Sequence, residues 1–279
     1  GSGIADSNYL FLVNTGLLFE GDAPLFAASV DLSSGSLLLG ANEGKALANG
    51  AAGALQMQRI YNPLVFEFSE NTAVVIDCNV SFSGELEIPS KFQGKTITSI
   101  GDNAFRDCVN ISKIKIPDTI TNIGVNAFSN CSSLTEINVS NSNQEYSSLD
   151  GVLFNKEKTN LIKCPARFSG DYKVPDTIRF ISSRAFYGCY DLESVTLSSS
   201  LVTIGESAFR ACKKIKNIFI PDNVEMIGEY AFLNCTSLIN FNVSDVNQNF
   251  SSENAVLFDK GKTKLIACGG GITGRYVIP

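Results

Sequence analysis

"IGDNAFRDC" (100–108) puts a glycine turn, an aspartate and an arginine beside a cysteine, and taken alone it has the makings of a reactive site. The stretch returns as "IGVNAFSNC" (123–131), "ISSRAFYGC" (181–189), "IGESAFRAC" (204–212) and "IGEYAFLNC" (227–235). Cys108 to Cys131, Cys189 to Cys212 and Cys212 to Cys235 are each 23 residues apart, while Cys131 to Cys189 spans 58. The long interval carries a second repeat. "YSSLDGVLFNKEKTNLIKC" (146–164) comes back as "FSSENAVLFDKGKTKLIAC" (250–268), 104 residues later. A fixed period of this size marks an array of stacked units, each too small to bury its own apolar face.

Aligned, the copies define one coil. It opens with "ISKIKIP" (111–117), "LTEINV" (134–139), "LESVTL" (192–197), "IKNIFIP" (215–221) or "LINFNV" (238–243). In these runs apolar and polar residues alternate, which predicts short strands with one face buried and one wet. A second brief extended run follows and closes on Gly, where the expectation is a turn with positive φ. Ala-Phe-x-x-Cys then has a spacing that suits one helical turn facing inward. Stacking at strand spacing would align Phe105, Phe128, Phe186, Phe209 and Phe232 in one column and the cysteines in another.

The coil resembles the leucine-rich repeat of the BspA-like kind, over roughly residues 86–279. The resemblance implies a right-handed leucine-rich repeat solenoid of the α/β type, mostly short strands with short helical turns. An expanded first coil, as at "LEIPSKFQGKTITSIGDNAF" (86–105), is familiar in that family. Departures are small: Ser182 stands where Gly is expected, and the coil at "SSSLVTIG" (198–205) lacks Pro-Asp.

On this reading the repeat cysteines are small, buried core side chains. Five share one position, Cys164 and Cys268 match each other in the long units, and Cys78 stands alone. Disulfides between neighbouring coils are the weaker reading, and cysteines 23 apart do not supply the converging ligands of a zinc site. The chain has no His, which removes Ser-His-Asp, Cys-His and HExxH chemistry. "GGGITG" (269–274) lacks the Lys-Ser/Thr of a phosphate loop. The loops "NSNQEYSSLDG" (141–151) and "SDVNQNFSSEN" (244–254) have oxygen ligands but not the spacing of a calcium loop, so they read as turns. No catalytic residue, cofactor or metal is expected.

Bulk composition agrees. Of 279 residues 44% are apolar and 18% charged, and the net charge of −6 comes without a Lys/Arg cluster. Nucleic acid and anionic membrane are thus poor partners, and no stretch approaches a membrane span. Residues 1–63 do not repeat: "YLFLVNTGLLFEG" and "LFAASVDLSSGSLLLG" suggest strands, and "KALANGAAGALQMQRI" leans towards helix. Residues 64–85 are expected to form a strand-turn-strand cap on residues 86–279. "GRYVIP" (274–279) matches "GDYKVP" (170–175), which is followed by a full coil, so the array is expected to run on past Pro279.

Function is then expected from a surface. The wet strand positions Lys113, Lys115, Glu136, Asn138, Ser194, Thr196, Asn217, Phe219, Asn240 and Asn242 form a candidate ladder. The resemblance implies a secreted or cell-surface bacterial protein in adhesion, with a host or neighbouring-cell protein or glycan as partner. The alternative is an accessory region of a larger surface enzyme.

Overall fold

The computed structural model describes residues 63–253 and 255–271, and within 1–62 the backbones of six short strands. The chain divides into two compact units, Gly1–Pro63 and Leu64–Pro279. In the first, Asn8–Phe11 pairs antiparallel with Leu18–Gly21, Phe26–Ala28 with Met57–Arg59, and Leu37–Leu39 with Ala46–Ala48. The helix-leaning stretch therefore contributes two strands. Gly50 and Gly53 deprive it of an uninterrupted run, and cross-strand pairing overrides the preference of its alanines. The "GRYVIP" expectation falls on residues 274–279, outside the described residues.

The second unit is a β-solenoid of about seven turns. Its first ladder runs in parallel through Gly84–Glu87, Ile111–Ile116 and Glu136–Val139, and continues in the pairs Gly170–Lys173 with Leu192–Thr196 and Asn217–Ile220 with Asn240–Val243. A second ladder holds Thr72–Cys78, Lys95–Ile100 and Asn122–Ile123, then Asn160–Lys163, Phe180–Ile181, Thr203–Ile204 and Met226–Ile227. Leu64–Phe68 lies antiparallel on Thr72–Cys78. The core between the ladders is the expected column of rings. Phe105 and Phe128 stack with centroids 5.6 Å apart, Phe186 and Phe209 at 4.7 Å, and Phe209 and Phe232 at 5.6 Å.

Ala-Phe-x-x-Cys does not form a helical turn, and no helix occurs among the described residues. The reason lies in two residues per coil with left-handed backbone: Asn103 (φ 58°) and Asp107 (φ 62°), then Asn126 and Asn130, Arg184 and Gly188, Ser207 and Ala211, Tyr230 and Asn234. Between them the amides alternate in direction. Ala104, Arg106 and Cys108 donate three residues back within the coil, whereas Asn103, Phe105 and Asp107 donate to Val125, Ala127 and Ser129 of the next coil. A helix would turn all these donors inward along its own axis. Here half of them stitch coil to coil.

The glycine that closes each second strand is also explained differently from expectation. Gly101, Gly124, Gly205 and Gly228 are absent from the positive-φ positions. A Cβ on Gly124 would stand 2.4 Å from the backbone N of Asp102, and one on Gly205 2.5 Å from the N of Ser183. Close approach of stacked backbones, and not φ, demands glycine. Ser182 escapes the demand because the turn before it belongs to the long unit, and its hydroxyl donates to Asn160 Oδ1 at 3.0 Å.

The long unit is an antiparallel sheet of Tyr146–Leu149, Val152–Asn155 and Asn160–Lys163, repeated as Phe250–Glu253, Val256–Asp259 and Leu265–Cys268. The loop before each is a turn built on a buried Asn. Asn143 Nδ2 donates to the carbonyls of Pro117 and Ile120, both at 2.9 Å, while its Oδ1 accepts from the amides of Glu145 and Tyr146. Asn247 does the same for Pro221, Asp222 and Val224 and for Asn249 and Phe250. Their oxygens face backbone amides, which is a structural use of a loop rich in oxygen ligands.

Candidate binding surface

The ten expected ladder positions all fall on first-ladder strands, with their neighbours Ile114, Ile116, Ile137, Val195, Ile218, Ile220 and Phe241 buried beneath. They are brought together in blocks. Lys113 lies opposite Glu136 and Lys115 opposite Asn138. Asn217 lies opposite Asn240 and Phe219 opposite Asn242. Ser194 and Thr196 pair with two residues that the sequence reading did not include, Asp171 and Lys173. Glu85 and Glu87, also not foreseen, lie opposite Lys113 and Lys115. The signal for them was present, since "GELEIP" (84–89) and "GDYKVP" (170–175) carry the alternation of a first strand.

The blocks differ in chemistry. At one end Lys113 Nζ meets Glu136 at 2.7 Å and Lys115 Nζ meets Glu85 at 2.5 Å. These hydrogen-bonded pairs hold Glu85 and Glu136 below the ordinary carboxylate range and raise both lysines. Being exposed, they order the surface more than they stabilise it. In the middle block Ser194 Oγ donates to Asp171 Oδ1 at 2.5 Å, and the last block is uncharged, with Asn240 Nδ2 donating to Asn217 Oδ1 at 2.8 Å. Phe219, 53% exposed, stands among these amides.

The cysteines sit behind this surface, and they do more than fill space. Cys131, Cys212 and Cys235 each direct Sγ at the carbonyl of the Phe one coil earlier, at 3.1 Å in all three cases. Cys78, which has no counterpart in the sequence alignment, heads the column: Cys108 Sγ contacts its carbonyl at 3.6 Å. Cys268 departs from expectation, since it is exposed while the other seven are buried. Burial pushes Cys131 up to about 12 and Cys235 up to about 11, so these thiols stay protonated.

Residues 71–168 and 169–258 match the family described as the BspA type leucine-rich repeat region, in six copies. No curated protein matches. Among solved structures, the chain is similar to a leucine-rich repeat protein of Eubacterium ventriosum, with 31% identity over 57% of this chain and 42% of that one and a TM-score of 0.53. It is also similar to the pneumococcal vaccine antigen PcpA, with 23% identity over 61% and 53% of the two chains and a TM-score of 0.50. A leucine-rich cell surface protein of Faecalibacterium prausnitzii shares 22% identity over 72% and 57%, with a TM-score of 0.46. The chain thus spans about half the length of these solved relatives.

Proposed function

The chain belongs to the BspA type leucine-rich repeat family, and from that premise we propose that it is a non-catalytic binding module acting outside the cell, where it adheres to a protein or glycan of a host or neighbouring cell. The observation that carries the reading is the uncharged last block of the ladder. There Phe219 stands 53% exposed among Asn217, Asn240 and Asn242, on a pair of parallel strands. Aromatic side chains dominate the energy of interfaces, and amides at fixed strand spacing offer paired donors and acceptors to a polar partner. Repeat solenoids bind through extended surfaces of this kind.

The test is a double variant, Asn217→Asp with Phe219→Asp, which adds charge to the wet face and leaves the core untouched. Wild type and variant are screened side by side on arrays of extracellular matrix proteins and glycans, and hits are quantified by calorimetry. The expected result is a ligand whose affinity falls at least tenfold in the variant while the circular dichroism spectrum is unchanged. Undiminished affinity would move the site off this face.

A further inference from the structure

We propose that the break in the coil stack is a second ligand site, which binds the carboxylate of an acidic sugar through Lys163. The column of stacked rings is interrupted between Phe128 and Phe186, because the long unit replaces an Ala-Phe-x-x-Cys turn with its sheet. The interruption leaves a cavity of about 350 Å³, lined in part by Asp107, Phe128, Asn130, Lys163, Tyr187 and Tyr190. That lies within the roughly 300–1,000 Å³ of small-molecule sites.

Lys163 is only 7% exposed. Its Nζ donates to the carbonyls of Arg184 at 3.2 Å and Tyr187 at 3.4 Å. In the regular coils, carbonyls equivalent to that of Tyr187 receive a backbone N–H from the coil before, as Ser129 does from Asp107. Lys163 therefore substitutes for a donor that the long unit lacks. A neutral donor would serve that purpose without the cost of burying a charge. Among the described residues no ion pair includes Lys163. Asp107, in the same cavity, is occupied by Arg106 at 3.5 Å and by Asn130 Nδ2 at 2.7 Å. Buried ammonium groups are ordinarily paired with an anion. The matching position of the second long unit is Ala267, so the unit itself does not require a lysine.

The walls favour a sugar over an acidic peptide. Tyr187 and Tyr190 occur in this coil alone; the regular coils carry Arg106, Ser129, Arg210 and Leu233, and Val109, Ser132, Lys213 and Thr236, at those positions. Arg210 lies 5.8 Å from the Tyr187 ring centroid and Lys213 Nζ 4.9 Å from that of Tyr190, which adds positive charge around the mouth. Aromatic rings beside an amide and a carboxylate suit a ring of hydroxyls and C–H groups: the rings pack on the C–H faces, and the oxygens of Asn130 and Asp107 accept from hydroxyls that acidic peptide side chains lack.

The experiment is calorimetric titration of the full chain with tetragalacturonate, sialyllactose and a hyaluronan tetrasaccharide, each beside its carboxyl-methyl ester, with tetraglutamate as the peptide probe. At least one acid is expected to bind saturably and its ester at least tenfold more weakly. Lys163→Met should lower that affinity at least tenfold, and Tyr190→Ser, which leaves both lysine hydrogen bonds in place, at least threefold. The Asn217→Asp, Phe219→Asp variant should bind as wild type does, which separates this site from the ladder. No binding of any acid, equal binding of acid and ester, or affinity unchanged in both cavity variants would overturn the proposal. Tighter binding of tetraglutamate than of every sugar would overturn the assignment to a sugar.

Discussion

The carbonyl of Phe105 already accepts the amide of Cys108 at 3.2 Å, and the thiol of Cys131 reaches its free side at 3.1 Å. A weak donor that is also apolar and small fits a site sealed between two coils, where serine would carry a larger desolvation cost and alanine would donate nothing. The same contact at Cys212 and Cys235 makes the residue a joint between coils. Such thiols are poor nucleophiles, since the reactive species is the thiolate and burial suppresses it. Iodoacetamide at pH 8 is therefore expected to add once to the native protein, at the exposed Cys268, and to all eight cysteines after denaturation. Mass spectrometry of the intact and digested protein reads both numbers. Native adducts on Cys131, Cys212 or Cys235 would contradict the joint.

At the scale of the coil, the strand faces were legible because period-2 alternation has one physical meaning: Ile218 and Ile220 are buried, and Asn217 and Phe219 are exposed. The Ala-Phe-x-x-Cys segment was not, because an apolar spacing of three to four fits a helical turn and a chain of left-handed turns equally well. Asn and Asp before Ala104 and Cys108 hinted at left-handed backbone. Arg184, Ser207, Ala211 and Tyr230 adopt it without that hint, and the first three are held by amides that bond to carbonyls of the next coil. The ladder was legible as a set of faces but not as pairs, since register across a 58-residue interval depends on the long unit's sheet. The glycines give a quantitative check on the stacking. Gly205→Ala would press a methyl 2.5 Å from the Ser183 backbone and is expected to cost at least about 1–3 kcal/mol. Gly101→Ala, 3.1 Å from the Val75 carbonyl, should cost less. Chemical denaturation of both variants measures the order, and a larger loss at Gly101 would mean that conformation rather than contact sets the requirement.

Across the solenoid unit the long unit acts as a partition. Val152, Leu153 and Phe154 are all fully buried, although successive strand residues point to opposite faces. The two directions lead into different cores. Val152 and Phe154 belong to the cluster that contains Phe186, Phe209 and Phe232, and Leu153 to the cluster that contains Phe105 and Phe128. A run of three apolar residues is thus the mark of a strand buried on both faces, which the "VLF" motif displays in sequence. In a stacked array stability is the sum of local units and their interfaces, so a wall across the core divides cooperativity as well as space. Native-state hydrogen exchange is expected to resolve two protected blocks that meet at Val152–Asn155. Leu153→Ala should lower protection mainly in the block containing Ile114 and Phe128, and Phe154→Ala mainly in the block containing Phe186 and Ile218, each by about 2–5 kcal/mol as a buried truncation. If either variant lowers both blocks by the same amount, the strand couples the two cores into one cooperative unit, and the partition fails.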